Sequence, residues 1–119
     1  MPYMLLIIEP VGQRLQRGRE AGEQVYARML AYTDELKREG VLMNSSSLAS
    51  TAEATRLQLR DGRQTLVDGP FAETKEMVGG FFLLNCDSRD AALAFASRCP
   101  AAEWATVEVR GVAACFESL

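Results

Sequence analysis

Asp68-Gly69-Pro70-Phe71-Ala72-Glu73-Thr74-Lys75-Glu76 runs almost directly into Val78-Gly79-Gly80-Phe81-Phe82-Leu83-Leu84-Asn85-Cys86. The second stretch decides the fold. Apolar residues occupy both parities, whereas a strand wetted on one face alternates apolar with polar, so this strand must be covered on both sides. The pair Gly79-Gly80 marks a bulge or a place where another group approaches the backbone closely. The first stretch is longer and more charged than a strand connector requires, since such links usually take about two to five residues. It is read as a pocket-forming loop, the alternative being a well-tied structural turn.

Tyr3-Met4-Leu5-Leu6-Ile7-Ile8-Glu9 reads as a first strand of the same kind: Met4, Leu6 and Ile8 on one face, Tyr3, Leu5 and Ile7 on the other. Between Arg19 and Glu39, the residues Val25, Met29, Tyr32 and Leu36 form a stripe of helical period, stopped by Gly40. Val41-Leu42-Met43 opens a second strand, and the small, polar Asn44 to Ser47 that follows reads as a loop or the strand's end. Thr55 to Arg60 and Arg63 to Val67 flank Asp61-Gly62, a strong hairpin signal, and form an excursion at the margin of the sheet. After the apolar strand, Asp87 or Ser88 caps a helix from Arg89 to about Cys99, ended by Pro100. Trp104 to Arg110 is a fourth strand, and Val112 to Phe116 a short final one. The order β-α-β, hairpin, β-α-β predicts an α+β, ferredoxin-like fold within a single domain, residues 1–119, with two helices on one face of an antiparallel sheet. The uncovered face then calls for a homodimer.

Composition narrows the chemistry. The chain has 119 residues, a net charge of −3 and no histidine. The missing imidazole removes His-based nucleophile activation and His-ligated zinc. The acidic balance argues against nucleic acid as a partner, and Arg14, Arg17 and Arg19 read as a solvated helix approach. Cys86, Cys99 and Cys115 are odd in number and widely spaced, as expected of reduced thiols in a cytoplasmic protein. No apolar run reaches the ~20 residues of a membrane span, and Met1 to Met4 lacks the pattern of a signal peptide.

The opening Tyr3-Met4-Leu5-Leu6, the helix end Glu35-Leu36-Lys37-Arg38-Glu39-Gly40-Val41-Leu42, the block Asp68 to Glu76, Gly79-Gly80-Phe81 and Val107-Glu108-Val109-Arg110 together resemble the DGPF-domain branch of the YCII-related superfamily. The resemblance implies a dimeric α+β barrel, two ferredoxin-like sheets packed face to face. It also implies a largely uncharacterised activity, with some relatives encoded beside or fused to sigma factors. Two features depart from the pattern. The histidine that some relatives carry on the first helix falls near Met29, and Gly111 stands where a proline is more usual.

The candidate site gathers around the loop. Asp68 can accept the Phe71 amide and fix the Gly-Pro turn, with Phe71 as an anchor beneath it. Glu73 and Lys75 share a side if the segment is extended; Glu73 and Glu76 share one if it is helical. Glu73, Lys75 and Glu76 are therefore the candidate acid/base groups or anion clamp, the bland alternative being a surface ion pair. Arg110 is a second candidate cation, and Tyr3, Met29 and Tyr32 the candidate apolar lining. Two carboxylates beside an ammonium make no metal site, and no phosphate-binding glycine loop precedes a helix. No metal or cofactor is expected. The expected function is binding or transforming a small carboxylic or phenolic molecule between sheet and helices. The alternative is a sensory, regulatory or protein-interaction module, linked to sigma-factor transcription.

Overall fold

A computed structural model describes residues 1–117. The core sheet is antiparallel, with strands β1 (Pro2–Pro10), β2 (Leu42–Ser47), β5 (Glu76–Asn85) and β6 (Thr106–Gly111) in the order β2-β5-β1-β6. The two doubly apolar strands, β1 and β5, lie at its centre, where both faces must be filled. A separate two-stranded sheet is formed by β3 (Thr55–Arg60) and β4 (Arg63–Asp68), the excursion expected from Asp61-Gly62. Helices α1 (Gln13–Arg17), α2 (Arg19–Arg38) and α3 (Arg89–Ser97) complete a ferredoxin-like α+β fold. The body is two layers thick, about 18 Å in its shortest dimension.

Parity explains the core. Leu5 pairs with Phe82, and Tyr3 with Leu84, on the face that receives the helices. Tyr32 and Leu36 from α2, and Ala92 and Ala96 from α3, close over them. The Tyr32 ring meets Phe82 edge-on, with centroids 5.2 Å apart. Leu5, Leu36 and Leu84 are fully buried, each worth roughly 2 kcal/mol relative to an exposed position. Met4, Leu6 and Ile8 pair with Leu83, Phe81 and Val78 on the opposite face, which no helix among the described residues covers.

Local sequence sets the ends of the helices. Ser88 caps α3, its Oγ accepting the Ala91 amide at 3.1 Å. The start of α2 has no side-chain cap; Gly18 separates it from α1, a five-residue helix where the sequence suggested only a polar approach. The expected strand over Val112 to Phe116 does not form. Val112 donates its amide to Pro2 O at 3.0 Å, and there β1 has reached its first residue, so no ladder remains for the chain to follow.

Candidate functional site

The charged loop is held at its base. Asp68 accepts a hydrogen bond from Thr55 Oγ1 at 2.8 Å, across the root of the β3–β4 hairpin. The sequence expectation for that carboxylate was the Phe71 amide. Gly69 donates to Ala54 O at 2.7 Å, and a Cβ there would stand 1.8 Å from Thr51 O, so only glycine fits. Phe71 lies beneath Arg56, whose guanidinium carbon is 3.7 Å from the ring centroid and whose Nη2 donates to Thr74 Oγ1 at 3.3 Å. Lys75 accepts the Val11 amide through its carbonyl at 2.9 Å, tying the loop to the end of β1. The side chains of Glu73, Lys75 and Glu76 are exposed, with Glu76 already the first residue of β5.

A cavity of about 810 Å³ opens elsewhere, between α2 and the sheet, within the range of small-molecule sites. Of the residues proposed from sequence, Met29 lines it. Tyr3 and Tyr32 pack into the core instead, Tyr32 donating its hydroxyl to Phe95 O at 2.7 Å. Burial pushes the Tyr32 phenol above its usual titration range. Arg110 pairs with Met4 on the far side of the sheet.

The cavity is organised by Glu9 and Arg14. Glu9 continues the inward parity of Leu5 and Ile7 and is only 7% exposed. Arg14, on α1, grips it with both arms: Nε donates to Oε2 at 2.9 Å and Nη2 to Oε1 at 2.8 Å. Nη2 also reaches Gly79 O at 3.3 Å, and Nη1 donates to Leu48 O at 2.7 Å. One guanidinium thus joins β1, the bulge of β5 and the chain after β2. Bidentate guanidinium–carboxylate bonds are among the stronger polar contacts, and the burial of Glu9 demands such a partner. With both oxygens engaged, Glu9 serves as a strut.

The glycine pair makes room for this strut. Ile7 pairs with Gly80 and Ile8 with Val78, so Gly79 is the extra residue of a bulge. A Cβ on Gly79 would lie 1.6 Å from Glu9 Oε1 and 2.9 Å from Arg14 Nη2. A Cβ on Gly80 would lie 2.8 Å from Ser46 O. The sequence signal of close approach was correct, and the approaching groups are the ion pair and β2.

Around the strut, the wall is apolar on the helix side, with Val25, Tyr26, Met29 and Leu30, and floored by Phe82. Ser45 and Ser47 share the inward parity of β2, opposite Phe82 and Gly80. Arg17 and Arg19 stand with Arg14 at the end where α2 begins, and Lys37 in its last turn at the other. Arg17 donates to Gln13 Oε1 at 3.0 Å and lies 5.7 Å from the Trp104 ring centroid. Trp104, the single tryptophan, also lines the cavity. Its carbonyl accepts from Gln13 Nε2 at 2.7 Å, and its ring lies 5.4 Å from the Arg28 guanidinium. Four basic side chains therefore line the cavity with one carboxylate; Arg14 is matched by Glu9, and Arg19 by Glu23 on its own helix at 3.0 Å. Among the described residues, Arg17 and Lys37 have no carboxylate partner.

Sequence reading placed Arg14, Arg17 and Arg19 on a solvated approach and passed over Glu9. The available signal was a carboxylate at the inward parity of a buried strand, with an arginine five positions on. No cluster of metal-ligating side chains occurs among the described residues, and no helix is long and apolar enough to cross a membrane.

Comparison with known proteins bears on the assignment. An uncharacterized protein of Rhizobium meliloti (strain 1021) is 38% identical over 78 residues, covering 66% of this chain and 63% of that protein. The match thus spans less than two thirds of that relative's length. Residues 1–115 match the YCII-related domain, with the Glu9–Arg14 strut, the bulge and the cavity all inside that span. The chain belongs to the YCII-related domain family.

Proposed function

We propose that the chain binds a small organic acid with an apolar body in the cavity between α2 and the sheet. The observation that carries this reading is the imbalance of charge on the walls. Arg14, Arg17, Arg19 and Lys37 line the cavity with a single carboxylate, Glu9; Arg14 is matched by Glu9 and Arg19 by Glu23, which leaves Arg17 and Lys37 without a carboxylate partner among the described residues. In a chain of net charge −3, such a local cationic excess favours an anion. The acid head sits at the arginine end, at Arg17, and the apolar body lies on Met29, Leu30 and Phe82. Binding rather than turnover fits a chain without histidine in which the one buried carboxylate among the described residues is committed to a guanidinium.

The test is a thermal-shift panel of small aromatic and aliphatic acids, each beside its neutral amide. The proposal expects acids to raise the melting temperature where amides do not, and Arg17→Met to abolish the difference. Equal behaviour of acids and amides would remove the cationic end from the account.

Three further assignments belong to the same reading. The block Asp68 to Glu76 supports membership of the DGPF branch. Cys86, Cys99 and Cys115 are unpaired thiols, which supports a cytoplasmic setting. The open sheet face, with Met4, Leu6, Ile8, Phe81 and Leu83 and with Val78 41% exposed, supports a homodimer formed through it.

A further inference from the structure

The β3–β4 hairpin stands away from the body with every residue from Thr55 to Asp68 exposed. Its register sets Leu57 opposite Leu66 and Leu59 opposite Gln64, so three leucines share one face. They are 60%, 62% and 57% exposed for Leu57, Leu59 and Leu66. The ties to the body are at the base: Thr55 to Asp68, Gly69 to Ala54, and Arg56 to Phe71 and Thr74. A two-stranded hairpin alone is marginal in water, and an exposed leucine face adds no stability until something covers it.

Charge identifies the cover. Arg56, Arg60 and Arg63 outnumber Asp61 and Asp68 on the arm, while the chain as a whole carries −3. The arm is basic and the remainder of the molecule acidic, a complementarity that one copy offers to another. Two apolar surfaces could receive the leucines. The cavity mouth, with exposed Leu15, Tyr26 and Leu30, holds Arg17 and Lys37 without carboxylate partners among the described residues and so disfavours a basic arm. The open sheet face carries Glu76 beyond Val78, and Glu108 opposite Leu6, with Arg110 farther along opposite Met4. This second surface is apolar at its centre and acidic at the end where Val78 is exposed.

We propose that the hairpin is a dimerisation arm, laying Leu57, Leu59 and Leu66 against the open sheet face of a second copy beside that copy's Glu76 and Glu108. The proposal rests on the homodimer proposed above. It adds that the arm, besides the sheet, holds the two copies together.

The experiment combines sedimentation with amide hydrogen exchange on the full chain across a dilution series. The wild type should sediment at twice 13.1 kDa when concentrated. Amides of residues 55–68 should exchange about tenfold faster once dilution yields monomer, a change equivalent to about 1.4 kcal/mol. Leu57→Asp/Leu66→Asp should raise the dissociation constant at least about tenfold, while Gln58→Ala/Thr65→Ala on the opposite face leaves it unchanged. A dimer whose arm exchanges alike at every concentration, and which forms equally well with Leu57→Asp/Leu66→Asp, overturns the arm while leaving the dimer. A wild type that stays monomeric overturns both. Because the exchange measurement uses wild-type protein, the test survives a double variant that fails to fold.

Discussion

Glu9 occupies the space that a side chain on Gly79 would need: a Cβ there would lie 1.6 Å from Glu9 Oε1. The glycine, the bulge and the buried ion pair are one device. The bulge drops the β5 backbone out of register, the missing side chain leaves a hollow, and the carboxylate held by Arg14 fills it. Leu48 is fastened to the same place, its amide donating to Gly79 O at 2.9 Å.

Gly79→Ala should therefore displace the carboxylate from Arg14. We expect a loss of about 3 kcal/mol, in the range for breaking a buried ion pair. Gly22→Ala is the contrasting case, since a Cβ there meets nothing within 4 Å and the site is helical. That variant should gain roughly 0.5–1 kcal/mol. Urea unfolding of both proteins reads the difference in sign.

Removing one partner of the strut should cost more than removing both. Arg14→Met alone leaves Glu9 buried without its donors, whereas Glu9→Gln/Arg14→Met leaves no charge behind. The single variant is expected to lose about 3 kcal/mol and the double about 1 kcal/mol less. A double-mutant cycle by chemical denaturation measures this coupling. Strictly additive losses would mean that the pair does not act as a unit.

Stability should fall at both ends of the pH scale, for different reasons. The Arg98 guanidinium hydrogen-bonded to Glu39, and that of Arg28 to Glu103, hold those carboxyls below their usual value of 4.5. Their contribution is present above that value and is lost as pH falls through the lower folded values. Burial raises the Tyr32 phenol above its ordinary 10.0, so its contribution is present below pH 10.0 and is lost as pH rises from there through the raised folded value. Glu39→Gln and Glu103→Gln should flatten the acid limb, and Tyr32→Phe the alkaline one, in melting temperature against pH. Both carboxylates are solvent-exposed, so the acid effect should shrink in high salt.

Leu84→Ala probes the core directly. Leu84 is fully buried between the sheet and the helices, and the truncation should cost about 3 kcal/mol. Leu83→Ala, one position along and on the uncovered face, should cost far less in dilute protein.

Much of this was legible in the sequence because parity and period are local. Two faces of apolar residues on 3–9 and 78–86 require central strands, the stripe from Val25 to Leu36 requires a helix on one face, and Asp61-Gly62 requires a hairpin. The β-bulge was visible as a glycine pair. The contents of the cavity were less legible because they depend on contacts between distant segments. Arg14 meets Leu48 O across 34 positions and Gly79 O across 65, and no local pattern announces either bond. The density of charge between Asp68 and Glu76 drew attention to that loop. Its Glu73, Lys75 and Glu76 side chains are exposed, while its backbone anchors the end of β1. Tyr32 and Met29 lie on the same helical stripe, yet Tyr32 is sealed into the core and Met29 lines the cavity, a difference set by the distant segments each one meets.

The central claim, an acid-binding cavity with its cationic end at Arg17, is most directly tested by calorimetric titration with phenylacetate and phenylacetamide. These probes share an apolar body and differ in charge. Trp104 lines the same cavity and is the single tryptophan, so its fluorescence supplies an independent readout of occupancy. The account predicts that the acid binds at least about tenfold more tightly than the amide, as a charge-assisted contact of about 1.5 kcal/mol or more would give. It also predicts that Arg17→Met brings the two together and that Trp104 emission changes on binding. Equal affinity of acid and amide for wild-type protein, or binding that leaves Trp104 emission unchanged, would contradict it.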